Sequence, residues 1–414
     1  MTKAALFRFL FIVLISFSFS NGFTQIEVCK TCPIKTIKEG IKQAKPHQKV
    51  IIKAGVYKEH MLIIDKPLTL ITTEKATIDG ENQGDIIQIF ADSVTIDGFQ
   101  IIHVGSSHTT DYSAIRVDKA AHFLIQNLEL RKIFFGVMLA KAKHGTITNI
   151  KVYGDAVQQH NSGNAIHLWH SHHILIDKNE LYKSRDGIYL EFSDDCIISN
   201  NISRENIRYG LHFMFSNRDE YRNNTFENNG AGVAVMFSKK ITMIDNHFQY
   251  NWGSASYGLL LKEINDAEII GNTFQENTIG INVEGSNRIN YKNNDFRSNG
   301  WAIKVNGACY NNVFIQNNFL YNSFDVSYNS KMNNNSFNEN FWSGYTGYDL
   351  DKDGLGDIPY RPVKLFSYVV NRTPNTIILM RSLFVDIIDF SESVSPAFTP
   401  DNLMDERPLM KQVK

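Results

Sequence analysis

A spacing of about 22 residues runs through the middle of this chain and limits what it can fold into. "AIHL" at 165, "GIYL" at 187, "GLHF" at 210, "GVAV" at 232, "GLLL" at 258, "GINV" at 280 and "AIKV" at 302 start 22, 23, 22, 26, 22 and 22 residues apart. A second series, "NNTF" at 223, "DNHF" at 245, "GNTF" at 271 and "NNDF" at 293, steps by 22, 26 and 22. Both carry the same four extra residues, which fall in "NWGSASY", a Gly/Ser stretch with the composition of an outward loop. Short units with strand-like alternation and Asn/Gly corners fit the coils of a parallel β-helix; helical repeats need longer units. Weaker coils ("VTIDGFQI", "FLIQNLEL", "GTITNIKV") carry the pattern back to about residue 60.

Alternation assigns the faces. Ile166/Leu168, Ile188/Leu190, Leu211/Phe213, Val233/Val235, Leu259/Leu261, Ile281/Val283 and Ile303/Val305 point inward and stack as aliphatic columns. Asn224, Asn246, Asn272 and Asn294 are expected to form an amide ladder at one corner, where Asn tolerates the left-handed conformation. Phe226, Phe248, Phe274 and Phe296 stack beyond it. The expected layout is a signal peptide (1–20), an N-terminal segment and cap (21–50), the β-helix (51–340), an Asp-rich loop segment (341–366) and a tail (367–414). Within the cap, Ile37, Ile41 and Ala44 have helical spacing and can lie over the first coil. The tail holds "NTIILMRSLFVDIIDF" (375–390), too short and charged to span a bilayer. Ile377, Met380, Phe384, Ile387 and Ile388 give it one apolar helical face, for the β-helix or for a membrane partner.

Composition excludes one class of partner. With 42 basic and 43 acidic residues there is no basic excess for nucleic acid. Lys3 and Arg8 ahead of an apolar stretch from Phe9 to Phe19, then small residues, lay out a secretory signal peptide. In an oxidising compartment "CKTC" (Cys29, Cys32) reads as a local disulfide or a pair of thiols rather than a metal pair, since nothing nearby completes four metal ligands. Cys196 and Cys309 stand alone.

The outward residues are unusual. One column runs Met138, His167, Tyr189, His212, Ala234; its neighbour runs Trp169, Glu191, Met214, Met236. Thioether and imidazole suit soft Cu(I), so His167, His212, Met214 and Met236 are copper candidates. The same residues would also serve as an adaptable apolar contact patch. In "HNSGNAIHLWHSHH", His170, His172 and His173 fall on a corner, and only His167 sits on the strand face. "DLDKDGLGD" sets Asp349, Asp351, Asp353 and Asp357 at the alternate spacing of a calcium loop, with Gly354 at the turn. Tyr360 stands where an EF-hand needs its Glu, so this is not an EF-hand.

The opening "IIKAGVYKEHMLIIDKPLTLI" resembles the first coil of the carbohydrate-binding/sugar-hydrolase class of right-handed β-helices. "IHLWHS", "YGLHFMFS" and "WSGYTGYDLDKDGLGDIPYRPV" together resemble the NosD family of nitrous-oxide-reductase maturation factors. The resemblance implies an all-β, right-handed parallel β-helix acting in the periplasm as a non-enzymatic assembly factor. It implies an ABC transporter permease, a copper chaperone and nitrous oxide reductase as partners, and copper as cargo. The rival is a secreted polysaccharide lyase, epimerase or hydrolase on the same fold. Glycoside hydrolysis needs paired carboxylates. The outward columns offer Glu191 alone, while Arg185, Asp186, Asp194 and Asp195 are placed on corners.

Overall fold

The structure, a computed structural model, describes residues 25–329, 334–380, 382–394 and 403–413. The expected signal peptide, residues 1–20, lies outside them. The described chain winds through three parallel sheets of 14, 12 and 13 strands. Each coil gives one strand to each sheet. In the central coil Tyr209–Met214 joins the 12-stranded sheet, Glu220–Arg222 the 14-stranded and Thr225–Glu227 the 13-stranded. Sheet neighbours are consecutive coils, so the repeat itself sets register: Leu211 pairs with Ile188 on one side and Val233 on the other. The aliphatic columns are fully buried, each side chain contributing about 1.5–3 kcal/mol by leaving water. The fold is the all-β parallel solenoid that the spacing dictates.

The corners hold polar ladders. Asn179, Asn201, Asn224, Asn246, Asn272, Asn294, Asn317 and Asn340 are buried, and each passes its amide Nδ2–H to the next residue's Oδ1 at 2.9–3.1 Å. The left-handed residue is not the ladder Asn, as expected, but the one before it: Asn223, Asp245, Gly271 and Asn293 have φ of 54°, 54°, 68° and 54°. The physical reason is direction. A left-handed residue turns the chain, and its successor then points inward, where an amide meets the backbone groups the corner leaves unpaired. A second ladder, Asn206–Asn229 and Asn251–Asn277–Asn299–Asn322, lines another corner. Phe226, Phe248, Phe274 and Phe296 stack at centroid distances of 5.5, 4.6 and 5.0 Å.

Both ends are covered. Ile26–Val28 is itself a strand, paired with Gln48–Ile52, and a Cys29–Cys32 disulfide follows it. Helix α1 (Ile37–Gln43), capped by the Thr36 side chain accepting from the Glu39 N–H, buries Ile37 and Ile41 over the first coil. Gly40 lets it sit close, since a Cβ there would meet Val28 Cγ2 at 2.6 Å. At the other end helix α2 (Leu365–Arg372) packs Phe366 and Val370 against Trp301 and Phe324.

The segment 375–390 departs from its expected single helix. Pro374–Leu379 is a 3-10 turn and α3 (Leu383–Val394) follows, so the change of pitch resets the rotational phase. Val385 and Met380 then meet the α2 cluster, while Ile377, Phe384 and Ile387 face outward. Residues 403–413 return to the final coil, where buried Asp405 ends the first ladder. Its Oδ2 accepts from Asn340 N (3.0 Å), Asn340 Nδ2 (3.1 Å) and Trp342 Nε1 (3.0 Å).

Candidate functional site

The two outward columns of the 12-stranded sheet stand as the alternation placed them. Met138, His167, Tyr189, His212 and Ala234 are successive register partners, as are Trp169, Glu191, Met214 and Met236. The four copper candidates do not converge on one point. The Tyr189 ring lies between the imidazoles, 4.8 Å from His167 and 4.7 Å from His212, so the two histidines are held apart. Met214 and Met236 are adjacent and half-buried, with Met214 Sδ 3.8 Å from the Tyr189 hydroxyl.

Both histidines point out of the core, yet both are buried. Neither ring nitrogen of His167 has a hydrogen-bond partner, and His212 Nε2 has none. Burial, reinforced by the Arg185 charge, pushes the His167 pKa down to about 3, so it is a neutral imidazole at physiological pH. Burial, then the Glu191 charge, lifts Tyr189 to about 12, keeping its hydroxyl protonated.

Around His212 lies a charge network the sequence reading left on a corner. Asp186 opens the strand Asp186–Glu191 and is fully buried. Arg208 Nε donates to Asp186 Oδ1 at 2.8 Å, and Arg208 also donates to Oδ2 and to His212 Nδ1. Burial works to raise the Asp186 pKa, but the hydrogen bonds and charge of Arg208, with His212 beside it, outweigh it and hold the carboxylate below its usual range. Tyr209 closes over His212 at 4.8 Å. The signal was present in the repeat, because Asp186 pairs with Tyr209 one coil on.

A third feature was missed. His170, Phe192, Phe215 and Phe237 stack at 4.8, 5.1 and 5.1 Å along the corner beside the methionines. Their spacing of 22, 23 and 22 residues was available in the sequence. Phe192 and Phe215 are exposed. The surface thus combines two thioethers, a ring stack and an imidazole, a soft and largely apolar strip suited to a soft ion or to the protein that carries it.

The Asp-rich loop forms a separate cluster. Carboxylate oxygens of Asp349, Asp351 and Asp353 lie within 4.8 Å of one another, and Asp349 Oδ1 is buried without a partner among the described residues. Asp357 does not join them; its Oδ2 accepts from the Leu350 N–H at 2.7 Å and closes the loop. Among the described residues, these three form the one group of three or more His, Cys, Asp and Glu residues with ligand atoms this close.

Comparison with known proteins adds independent findings. A family described as "Periplasmic copper-binding protein (NosD)" matches residues 148–347, a span holding all four copper candidates. The chain is 27% identical over 379 residues to a "Probable ABC transporter binding protein NosD" of Pseudomonas aeruginosa, covering 87% of each. It is 28% identical over 388 residues to the protein of the same name from Stutzerimonas stutzeri, covering 87% of this chain and 86% of the relative. Among solved structures, a mannuronan C-5 epimerase A-module of Azotobacter vinelandii superposes with a TM-score of 0.63 at 11% identity. That match covers 72% of this chain and 92% of the epimerase module, and shares the fold alone.

Proposed function

Taking as premise that this chain is a NosD-type protein, we propose that it works in the periplasm as a non-enzymatic accessory factor for nitrous oxide reductase. It assists copper delivery together with an ABC transporter permease and a copper chaperone. The observation that carries this reading is the Met214–Met236 pair, in register on an accessible strip beside the unpartnered His212 Nε2. Cu(I) is held by the two sulfurs, with the unpartnered Nε2 of His212, two residues before Met214 on the same outward face, as the imidazole candidate. His167, screened by Tyr189, stands outside this set.

The test deletes the sulfurs and keeps the volume. Met214→Leu/Met236→Leu is expected to fold normally, lose Cu(I) in competition with a chromophoric chelator, and leave the reductase copper-poor in cells. His212→Ala should act alike, and Lys304→Ala, two coils beyond Leu260 on the histidine column, should not. Copper loading that survives the sulfur deletion and His212→Ala overturns the site.

Calcium at Asp349, Asp351 and Asp353 is proposed as a structural ion. Support comes from the buried, unpartnered Asp349 Oδ1 and from the loop's ties to the returning segment, Gly356 N to Pro408 O and Met410 N to Gly354 O. The enzyme reading draws on the Asp186–Arg208–His212 network. It lacks a close carboxylate pair, because Asp186 is buried against Arg208 and Glu191 is separated from the next acid along its column, Glu284, by Met214, Met236 and Lys262.

A further inference from the structure

Three histidines that the copper reading leaves unused are brought together by the fold. His122, His144 and His173 occupy the same corner of three successive coils, all with left-handed φ (57°, 51° and 56°) and all exposed. Their rings are stacked: His122 and His144 have centroids 5.3 Å apart at 8°, His144 and His173 4.8 Å apart at 3°. Their backbones are fixed by ladder bonds from His122 N to Lys143 O, His144 N to His172 O and His173 N to Asp194 O. Among the described residues no protein group bonds their ring nitrogens, and all three side chains are exposed. His172 is different; its Nδ1 accepts from the Asp194 N–H at 3.2 Å.

A left-handed corner favours Asn, Asp or His, which accounts for one histidine but not for a run of them. In other coils the same position holds Ser93, Asp195, Arg218, Lys240, Asp266 and Arg288. We propose that the His122–His144–His173 stack is a binding site for a divalent transition-metal ion of the Zn²⁺/Cu²⁺ class. Two imidazole nitrogens on one such ion stand about 3.3–4.2 Å apart, from metal–nitrogen bonds of about 2.0–2.1 Å. The 4.8 Å separates ring centroids, and parallel rings hold their lone pairs in parallel planes, so to share an ion the two exposed rings turn out of the stack and converge, water completing the coordination. His144 belongs to both pairs and is the shared ligand. The site differs in chemistry from the methionine strip: borderline imidazoles for a divalent ion, against thioethers for Cu(I). It does not depend on the copper-delivery role.

The experiment titrates the secreted full chain with Zn²⁺, which has no redox step, in excess Ca²⁺ to keep Zn²⁺ off the aspartate loop. Asn tolerates the left-handed corner, so His144→Asn removes the shared imidazole without straining the backbone. It should weaken Zn²⁺ binding by at least about tenfold, with unchanged circular dichroism. His173→Asn, which leaves the wider pair, should weaken binding more than His122→Asn, which leaves the closer one. Wild-type protein that takes up no Zn²⁺, or His144→Asn that binds as the wild type does, overturns the proposal. Met214→Leu/Met236→Leu should bind Zn²⁺ unchanged, so failure of the copper reading and failure of this one give different results.

Discussion

Asp405→Ala tests whether the solenoid is closed by the acceptor that ends its amide ladder. The wild-type carboxylate is fully buried, and its Oδ2 receives three hydrogen bonds, from both nitrogens of Asn340 and from the Trp342 indole. Removing it strands three donors at about 1–3 kcal/mol each. Water entering at the end of the solenoid recovers part of this, so the expected loss is about 3–5 kcal/mol. Coils of a solenoid are stabilised by their neighbours, which keeps the damage local. Hydrogen exchange followed by mass spectrometry should therefore show protection lost in residues 318–342 and kept in residues 166–214. Asp405→Asn keeps one carbonyl oxygen for the same donors and loses only the weaker bond from Arg407 N (3.3 Å), so it should cost about 1 kcal/mol. Unchanged exchange at Asn340 and Trp342 in the alanine variant would refute the reasoning, as would an asparagine variant as damaged as alanine.

Two further outcomes follow from the same end of the molecule. Burial raises the Asp325 pKa from 3.8 to about 6, so the folded state binds its proton more tightly than the unfolded chain. Stability should then fall as pH rises from about 4 to 6 and stay level above, by about 3 kcal/mol. Asp325→Asn should flatten that slope in urea titrations and melt later at pH 7; a slope that persists assigns it elsewhere. Chelating calcium should lower the melting temperature of the wild type, and added calcium should restore it, because a ligand of the native state stabilises by mass action. Asp351→Asn/Asp353→Asn should melt the same with and without chelator, and a wild type equally indifferent makes the loop a plain turn.

How much was readable in advance depended on sequence distance. Stacked partners recur every 22 or so residues, so the aliphatic columns, the Asn224–Asn294 ladder and the Phe226–Phe296 stack were legible from spacing alone. The His167–Tyr189–His212 column was legible for the same reason. Its burial was not, because what encloses His212 is Arg208 and Tyr209, a corner side chain and the residue that begins the strand. Nor does a repeat reveal contacts made outside it. Asn340 meets Asp405 across 65 residues, and no periodic signal joins them. The inner face of 375–390 was misread because a helical wheel assumes one pitch, and the chain changes pitch near Met380.

The amide ladder also has a sense of direction. In every step the side-chain donor belongs to the earlier coil and the acceptor to the later one, from Asn179 to Asn201 through to Asn317 and Asn340. A chain that emerges amino end first therefore always finishes, at any moment, in a coil whose donors await residues still to come. Each coil completes the one before it and is itself left open. Growth of the solenoid is thus vectorial, with the growing edge hungry for acceptors. It halts at a side chain that receives without offering a donor of its own, the carboxylate of Asp405.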